Sequence, residues 1–597
     1  MTRGWILTWI ASLAVAGCAR PSTTGCKPYP GSPDWPAAEA WRRLNETLGG
    51  RLLSPSPPAA ACHRDRPEYD AARCAEISKR WVTFDWHTQD PVSNCWSQFS
   101  NDTCLPDGPS CSGQGYPPFV VNATTARHVK AGIDFARKYN VRLLVKGTGH
   151  DDNGRSIAPG ALSIWTHHMK EIEYHASEFR LAGSGRCIQG SAVTVGAGNQ
   201  MYDIYVATAR YNKTIVGGGG KSVGVGGYLS GGGHSILGAR YGLGADNVLE
   251  MQLVTPGGDI VTANEDQHSD LFWAMRGTTK ADPDPDSVQG GGSTFGAMTS
   301  VTLKAHPSPS IAYITWYAYM SADSPVAFDL VGYVLSQFPT LMDEGVSGYQ
   351  YIFDKMPNPL PGDGQPKVIS GLIGGFMLQD VTDATKLEAL LKPVEDAIGR
   401  RWNGTAHIVK ETKLYASFLD WFDVNYDQGV AGGNVYRTSR LVDRKALTGD
   451  PKALGEAYRA ATKAAGAVTA YMVAGKAVQK ARPRGGGNAV NPAWRQAYLQ
   501  SLTGVTYPSF NQTAERTTIE ALDVTLDPLK ALTPTMGAYI NEGWLFEKDW
   551  QKTFWGSNYA RLHRIKKQVD PTNVFVCFPC VGSEGWFQRD DGRLCRR

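Results

Sequence analysis

Between Gly217 and Gly244 the chain carries 13 glycines in 28 residues, against 66 in all 597. Val223, Val225, Tyr228 and Leu229 are interleaved with them. A flexible linker has no use for regularly placed apolar side chains that need burial, so this stretch is read as folded turns. Glycine turns let backbone N–H groups approach a ligand closely. A second such turn lies upstream, where the apolar run Val141–Val145 leads into Lys146-Gly147-Thr148-Gly149-His150-Asp151. Two turns of this kind point to a long, phosphate-bearing cofactor held by main chain. His150 offers a nucleophilic ring nitrogen beside it. A nicotinamide site of the Rossmann type would need its glycines to open a helix inside a βαβ unit, with an acid about 20 residues later. The glycines here are read as turns between short strands, which disfavours that alternative.

At 597 residues the chain exceeds one ordinary core, and 42% hydrophobic residues make it globular. Its 60 basic and 56 acidic residues nearly balance, with no dense basic run, so nucleic acid is not an expected partner. Arg3, the short apolar core Trp5–Ala16 and the small residues Ala14-Val15-Ala16 read as a secretory signal. That core is too short to span a bilayer, and no membrane association is expected. Val15-Ala16-Gly17-Cys18 also fits a bacterial lipoprotein box. The six sequons at Asn45, Asn101, Asn122, Asn212, Asn403 and Asn511 favour a eukaryotic secreted glycoprotein instead. Of 11 cysteines, Cys18 leaves with the signal, and the even number remaining favours disulfides. Cys577-Phe-Pro-Cys580 is read as structural rather than redox-active, since no thioredoxin-like unit surrounds it. No zinc motif occurs, so no metal site is expected, and a serine hydrolase is not expected either.

The pattern predicts a strand at Phe119–Val121, a helix over Thr124–Asn140 and a strand at Val141–Val145 running into the His150 turn. Further strands are expected at Ser191–Gly198, Leu249–Thr255, Ile260–Ala263 and Thr299–Ala305, with a polar loop over Thr278–Gln289. Beyond residue 309 the texture changes. Strands at Ile311–Met320, Gly348–Phe353 and Val368–Leu378 mix with amphipathic helices at Thr382–Ile398 and Leu454–Met472, which suggests an α+β domain with an antiparallel sheet. Ala481–Asn491 is read as a mobile loop.

Ordered blocks along the chain resemble the FAD-linked oxidases of the vanillyl-alcohol-oxidase superfamily, specifically the secreted fungal members similar to berberine bridge enzyme. The first is Lys146–Asp151. The second is Ser222-Val-Gly-Val-Gly-Gly-Tyr-Leu-Ser-Gly-Gly-Gly-His234 with Tyr241–Val248. The third is Tyr539-Ile-Asn-Glu542, followed by Trp550, Tyr559, Arg561, Leu562, Asp570-Pro571 and Phe575. Phe272–Gly277 and Gly292–Gly296 also match. The resemblance covers roughly residues 30–597. It implies a signal peptide over 1–19, a disulfide-stapled extension over 20–84, a PCMH-type FAD-binding domain of two α/β subdomains over 85–309 (core about 117–309), a substrate domain over 310–532 whose antiparallel sheet is covered by helices, and a segment 533–597 returning to the FAD domain.

For the site, the resemblance implies that His150 carries the covalent bond to the FAD 8α-methyl carbon. Lys146, Gly147, Thr148, Gly149, Asp151 and Ser156 surround that position. Gly217, Gly218, Val223, Gly224, Gly226, Gly227, Tyr228, Gly232, Gly242, Asp246, Val248 and Asn541 complete the cofactor contacts, with Asp246 and Val248 toward the adenine end. Many relatives add a cysteinyl tether at the position of Gly220. No cysteine occurs between Cys187 and Cys577, so a single histidyl attachment is expected. Val223 stands where small residues admit oxygen. Tyr539 is the candidate base for an alcohol proton, with Glu542 as its partner, while His234 is read as a structural partner of the glycine turns. The expected protein is a monomeric, N-glycosylated, extracellular oxidase that passes a hydride from a small alcohol, amine or other activated carbon to flavin N5 and then to molecular oxygen. The alternatives are a dehydrogenase with another acceptor and a flavin-bearing protein that acts by binding alone.

Overall fold

The computed structural model describes residues 25–276, 294–359 and 364–597. The signal segment, the loop Thr278–Gln289 and the Gly292-Ser293 part of one motif lie outside the described residues. Three sheets organise the α+β chain. In the first, Phe119–Asn122, Leu162–Trp165 and Leu143–Lys146 run parallel, and Leu52–Leu53 of the N-terminal extension adds an antiparallel edge. The helix Ala126–Tyr139 crosses between two of these strands. Thr125 caps its first turn by accepting from the His128 N–H, and Asn140, at φ 54°, ends it. At the far edge Leu143 bridges to Phe575, so the C-terminal segment closes back on this sheet.

The second sheet is antiparallel, in the order Ile260–Asn264, Val248–Val254, Ala297–Lys304, Ala192–Gly196 and Ile172–His175. Its hairpin turns at Gly258, whose φ of 90° suits glycine. The third sheet has seven antiparallel strands, in the order His407–Tyr415, Ile311–Ser321, Val368–Gln379, Ser347–Pro357, Ala467–Met472, Ala497–Tyr507 and Asn434–Asp443. One face, carrying Ile314, Trp316, Ile352, Leu372 and Phe376, packs under the helices Ala327–Asp343, Thr385–Arg401 and Pro451–Ala465. The other face carries Tyr313, Tyr349, Met377 and Tyr471 toward the other two sheets.

Four expectations need correction. The helix read over Leu454–Met472 ends at Ala465, because Gly466 turns the chain at φ 75° and Val468, Ala470 and Met472 then alternate inward as a strand. The glycine stretch holds short helices, Val225–Ser230 and Gly238–Tyr241, rather than short strands. Among the described residues four disulfides form, Cys26–Cys595, Cys62–Cys74, Cys104–Cys111 and Cys577–Cys580, while Cys95 and Cys187 are free thiols. The Ala481–Asn491 loop is pinned from both sides. Arg276 donates to the Arg484 and Gly487 carbonyls, and Asn488 donates to Asp246. Among the described residues no helix is long and apolar enough to cross a membrane.

Two helices of the third layer meet glycine to glycine. A Cβ on Gly332 would collide with the Pro451 carbonyl, and one on Gly455 with the Phe328 carbonyl. Gly332→Val should therefore lower unfolding stability by about 1–3 kcal/mol through overpacking. An unchanged melting temperature would contradict this close crossing.

Candidate active site

A cleft enclosing about 2000 Å³, its open mouth included, runs between the three sheets. One wall is the turn that follows strand Leu143–Lys146. Lys146 itself turns away from the cleft. Its Nζ donates to the carbonyls of His87 (3.2 Å) and Asp90 (2.8 Å), and burial pulls its pKa down to about 8. Gly147, Thr148, Gly149, His150, Asp151 and Ser156 line the cleft. The His150 ring stacks on Phe84 at 4.4 Å and 18°. Burial lowers its pKa, which favours the neutral imidazole, and the charge of Asp427 opposes that only in part. Asp152 next to it pairs with Arg437 at 2.6 Å, and burial pushes its carboxyl up to about 6.

The glycine stretch forms a second wall. Gly218, Val223, Gly224, Gly226, Gly227 and Tyr228 line the cleft. A Cβ on Gly226 or Gly227 would meet nothing within 4 Å, so their bare backbone faces open space. Tyr228 contributes its ring but not its hydroxyl, which donates to the His234 carbonyl at 3.0 Å. Four other expected contacts are absent from the lining. Gly217 is packed on Tyr205 and Met201, Gly232 on Val490, and Gly242 on Asp246. Val248 begins a core strand. Asp246 does not line the cleft either. Arg495 grips its carboxylate at 2.7 and 2.8 Å, and it caps the Leu243 N–H.

The third wall comes from the seven-stranded sheet, and the sequence reading did not reach it. Tyr349 and Tyr351 alternate onto one face of Ser347–Pro357, and the register sets Tyr349 beside Tyr471 and Tyr471 beside Gln500. Tyr349 and Tyr471 meet edge to face at 4.8 Å. Asn425, Tyr426, Asp427 and Gln428 complete the lining on this side. The signal was present, since tyrosines two apart on a strand share a face. What the sequence lacked was the strand order that brings them to the glycine turns.

Tyr539, Asn541 and Glu542 close the cleft from the C-terminal segment. Burial, and then the charge of Glu542, raise the Tyr539 pKa, against the bond from Asn541 and the charge of Arg155. The charge of Glu542 therefore disfavours a Tyr539 phenolate. One of its oxygens faces His234 Nε2 at 3.2 Å and the other accepts from Gln500 at 2.6 Å. Burial opposes its ionisation, but His234, Gln500 and Arg437 together hold the carboxyl below its ordinary range. His234, expected to be merely structural, belongs to this site.

The cleft suits a flavin dinucleotide. It offers bare glycine backbone, an imidazole at one wall, and a buried His234 Nδ1 that finds no partner among the described residues. Such a site on this fold defines a flavin-dependent oxidoreductase. The FAD binding domain family matches residues 117–264, and the berberine and berberine-like family matches residues 538–577. An uncharacterized FAD-linked oxidoreductase of Arthroderma benhamiae is 33% identical over 99% of both chains. The VAO-type flavoprotein oxidase VAO615 of Thermothelomyces thermophilus is 32% identical over 98% of both. The crystal structure of the VAO-type flavoprotein MtVAO713 from Myceliophthora thermophila superposes with a TM-score of 0.86 at 30% identity, covering 96% of this chain and all of that one. The chain belongs to the berberine-bridge-enzyme-like, VAO-type FAD-linked oxidoreductases.

Asp246 tests the separation of structure from chemistry. Arg495→Met leaves a buried carboxylate unpaired and should cost about 3–5 kcal/mol of stability, with flavin content per folded molecule unchanged. The folded pKa of Asp246 is depressed, because its pairing outweighs burial. Its contribution is thus present above the unfolded pKa of about 3.9 and is lost as pH falls through the folded value. A variant that keeps its stability but loses flavin would return Asp246 to the cofactor site.

Proposed function

We propose that the protein is a secreted FAD-dependent oxidase of small alcohols, amines or similarly activated C–H substrates, with FAD attached covalently through His150 alone and molecular oxygen as the final acceptor. One observation carries the reading: the His150 imidazole, whose burial favours its neutral, nucleophilic form, lines a glycine-rich cleft that also receives the Tyr539 phenol. When bound, the flavin supplies the hydride acceptor and hands the electron pair to oxygen, giving hydrogen peroxide.

The chain's own residues bind, orient and move protons. His150 anchors the ring system from the first wall. Gly220, in the place of a second tether, offers no sulfur. The short side chain of Val223 lies beside it, 3.2 Å from where a Gly220 Cβ would stand, and leaves oxygen a path. The name of the Thermothelomyces relative, a flavoprotein oxidase, supports oxygen use. Tyr539, in its phenolate form, takes the substrate hydroxyl proton. Glu542, held as a carboxylate by His234 and Gln500, fixes the electrostatics around it. Secretion and N-glycosylation rest on the N-terminal apolar segment and on sequons exposed at Asn101, Asn212, Asn403 and Asn511. Nothing in the charge balance calls for nucleic acid, and the enzyme is read as a monomer.

Acid precipitation of the wild-type protein should keep the yellow chromophore in the pellet, while His150→Ala should release it to the supernatant. Release from the wild type would end the covalent assignment. With substrate in air, peroxide should form at the rate of turnover; rapid flavin bleaching with slow reoxidation would indicate a dehydrogenase, and no bleaching a binding protein.

Tyr539→Phe should slow anaerobic flavin reduction by about 10²–10⁴-fold. Because burial raises the Tyr539 pKa, its basic form grows as pH rises, and wild-type reduction should accelerate through the neutral and alkaline range. A flat pH profile would place the base elsewhere.

A further inference from the structure

Asn541 sits between three groups whose donor and acceptor roles are fixed. The Arg155 guanidinium can only donate, and its Nη2 lies 3.0 Å from Asn541 Oδ1. The Gly227 carbonyl can only accept, and it lies 3.1 Å from Asn541 Nδ2. With both ends of the amide assigned independently, Nδ2 must also be the atom that faces the Tyr539 oxygen, at 2.8 Å. Arg155 is in turn held by Asp151, which grips its Nε and Nη2 at 3.1 and 2.8 Å and its backbone N–H at 2.6 Å. The Asp151 carboxylate, expected at the cofactor, is therefore spent on Arg155.

We infer that Arg155 is a positioning residue for the proton-transfer chemistry: anchored by Asp151, it locks the Asn541 amide so that its N–H donates to the Tyr539 oxygen and stabilises that oxygen when it carries negative charge. This deepens the reading of Tyr539 as base and rests on it. The Gly233 backbone N–H supplies a second bond to the same oxygen. Around Tyr539 the charges are unequal in sign. Glu542 from the same turn opposes phenolate, Arg155 favours it, the His234 ring packs edge-on at 5.2 Å, and Tyr228 is the neighbouring phenol of the glycine wall. Without Arg155 only the Gly227 carbonyl holds the amide, its oxygen loses its partner, and a rotated amide would turn that oxygen to the phenol, where it repels a phenolate instead of binding it.

The test is direct titration of residue 539 in the full-length, flavin-loaded enzyme. A fluorinated tyrosine of lower intrinsic pKa is installed at position 539 and its ionisation followed by ¹⁹F NMR. Arg155→Met should raise the midpoint by about one pH unit, the loss of one charge-assisted hydrogen bond, and Arg155→Lys should restore most of it. Anaerobic flavin reduction in Arg155→Met with natural tyrosine should fall about tenfold at each pH, with substrate affinity unchanged. A midpoint that stays put in a folded Arg155→Met enzyme overturns the inference. If that variant does not fold, Asn541→Leu removes the donor itself, and an unmoved midpoint there overturns it equally. Should Tyr539→Phe leave the reduction rate intact, the base assignment fails, while the titration still reports on the hydrogen-bond relay.

Discussion

The position of the His150 turn depends on a buried lysine. Lys146 ends a parallel strand, and its side chain points away from the cleft into the N-terminal region, where two backbone carbonyls hold it. Burying an amine in this way is costly, and its depressed pKa records that cost. In exchange the strand end is tied to the segment carrying His87 and Asp90. The Cys95 N–H ties the next residues by donating to the Gly149 carbonyl at 3.1 Å. Phe84, from the same N-terminal region, then supplies the surface on which the imidazole stacks. The cysteine-rich extension is thus part of the site's scaffold.

Much of the fold was legible because local chemistry wrote it. Thr125 and Asn140 bound a helix, Gly258 turns a hairpin, and strict alternation marks the third sheet. Legibility failed where two signals overlapped. Ala-rich residues 454–465 continue into a run with both helical and strand character, and only Gly466 decides between them. The site was legible in its glycines and in His150, which sit on short, continuous motifs. Asp246 was read toward the cofactor because an acid beside a glycine turn looks like a ligand contact; its carboxylate is held by Arg495, some 250 positions away in sequence. Tyr349, Tyr471 and Arg155 were missed for the same reason: their meaning depends on strand order and on contacts across domains.

The cleft divides its labour by wall. Backbone glycines and an imidazole face one side, and a tyrosine-covered sheet faces the other. Arg155 inside it is matched by Asp151, and Arg437 beside it by Asp152. That matching leaves Asn541, a neutral amide with both ends fixed, to address the Tyr539 oxygen. A rigid neutral donor does not compete for the substrate's charge, and its direction is set by groups outside the reacting zone.

Peptide mapping tests the central claim most directly. Trypsin cleaves after Lys146 and Arg155, isolating the turn as Gly147–Arg155. From protein denatured and digested in the dark, the account predicts that this peptide is yellow, fluorescent and heavier by the mass of one FAD less two hydrogens, with fragmentation placing the addition on His150. An unmodified peptide of native mass, recovered from enzyme that was yellow before digestion, would contradict it.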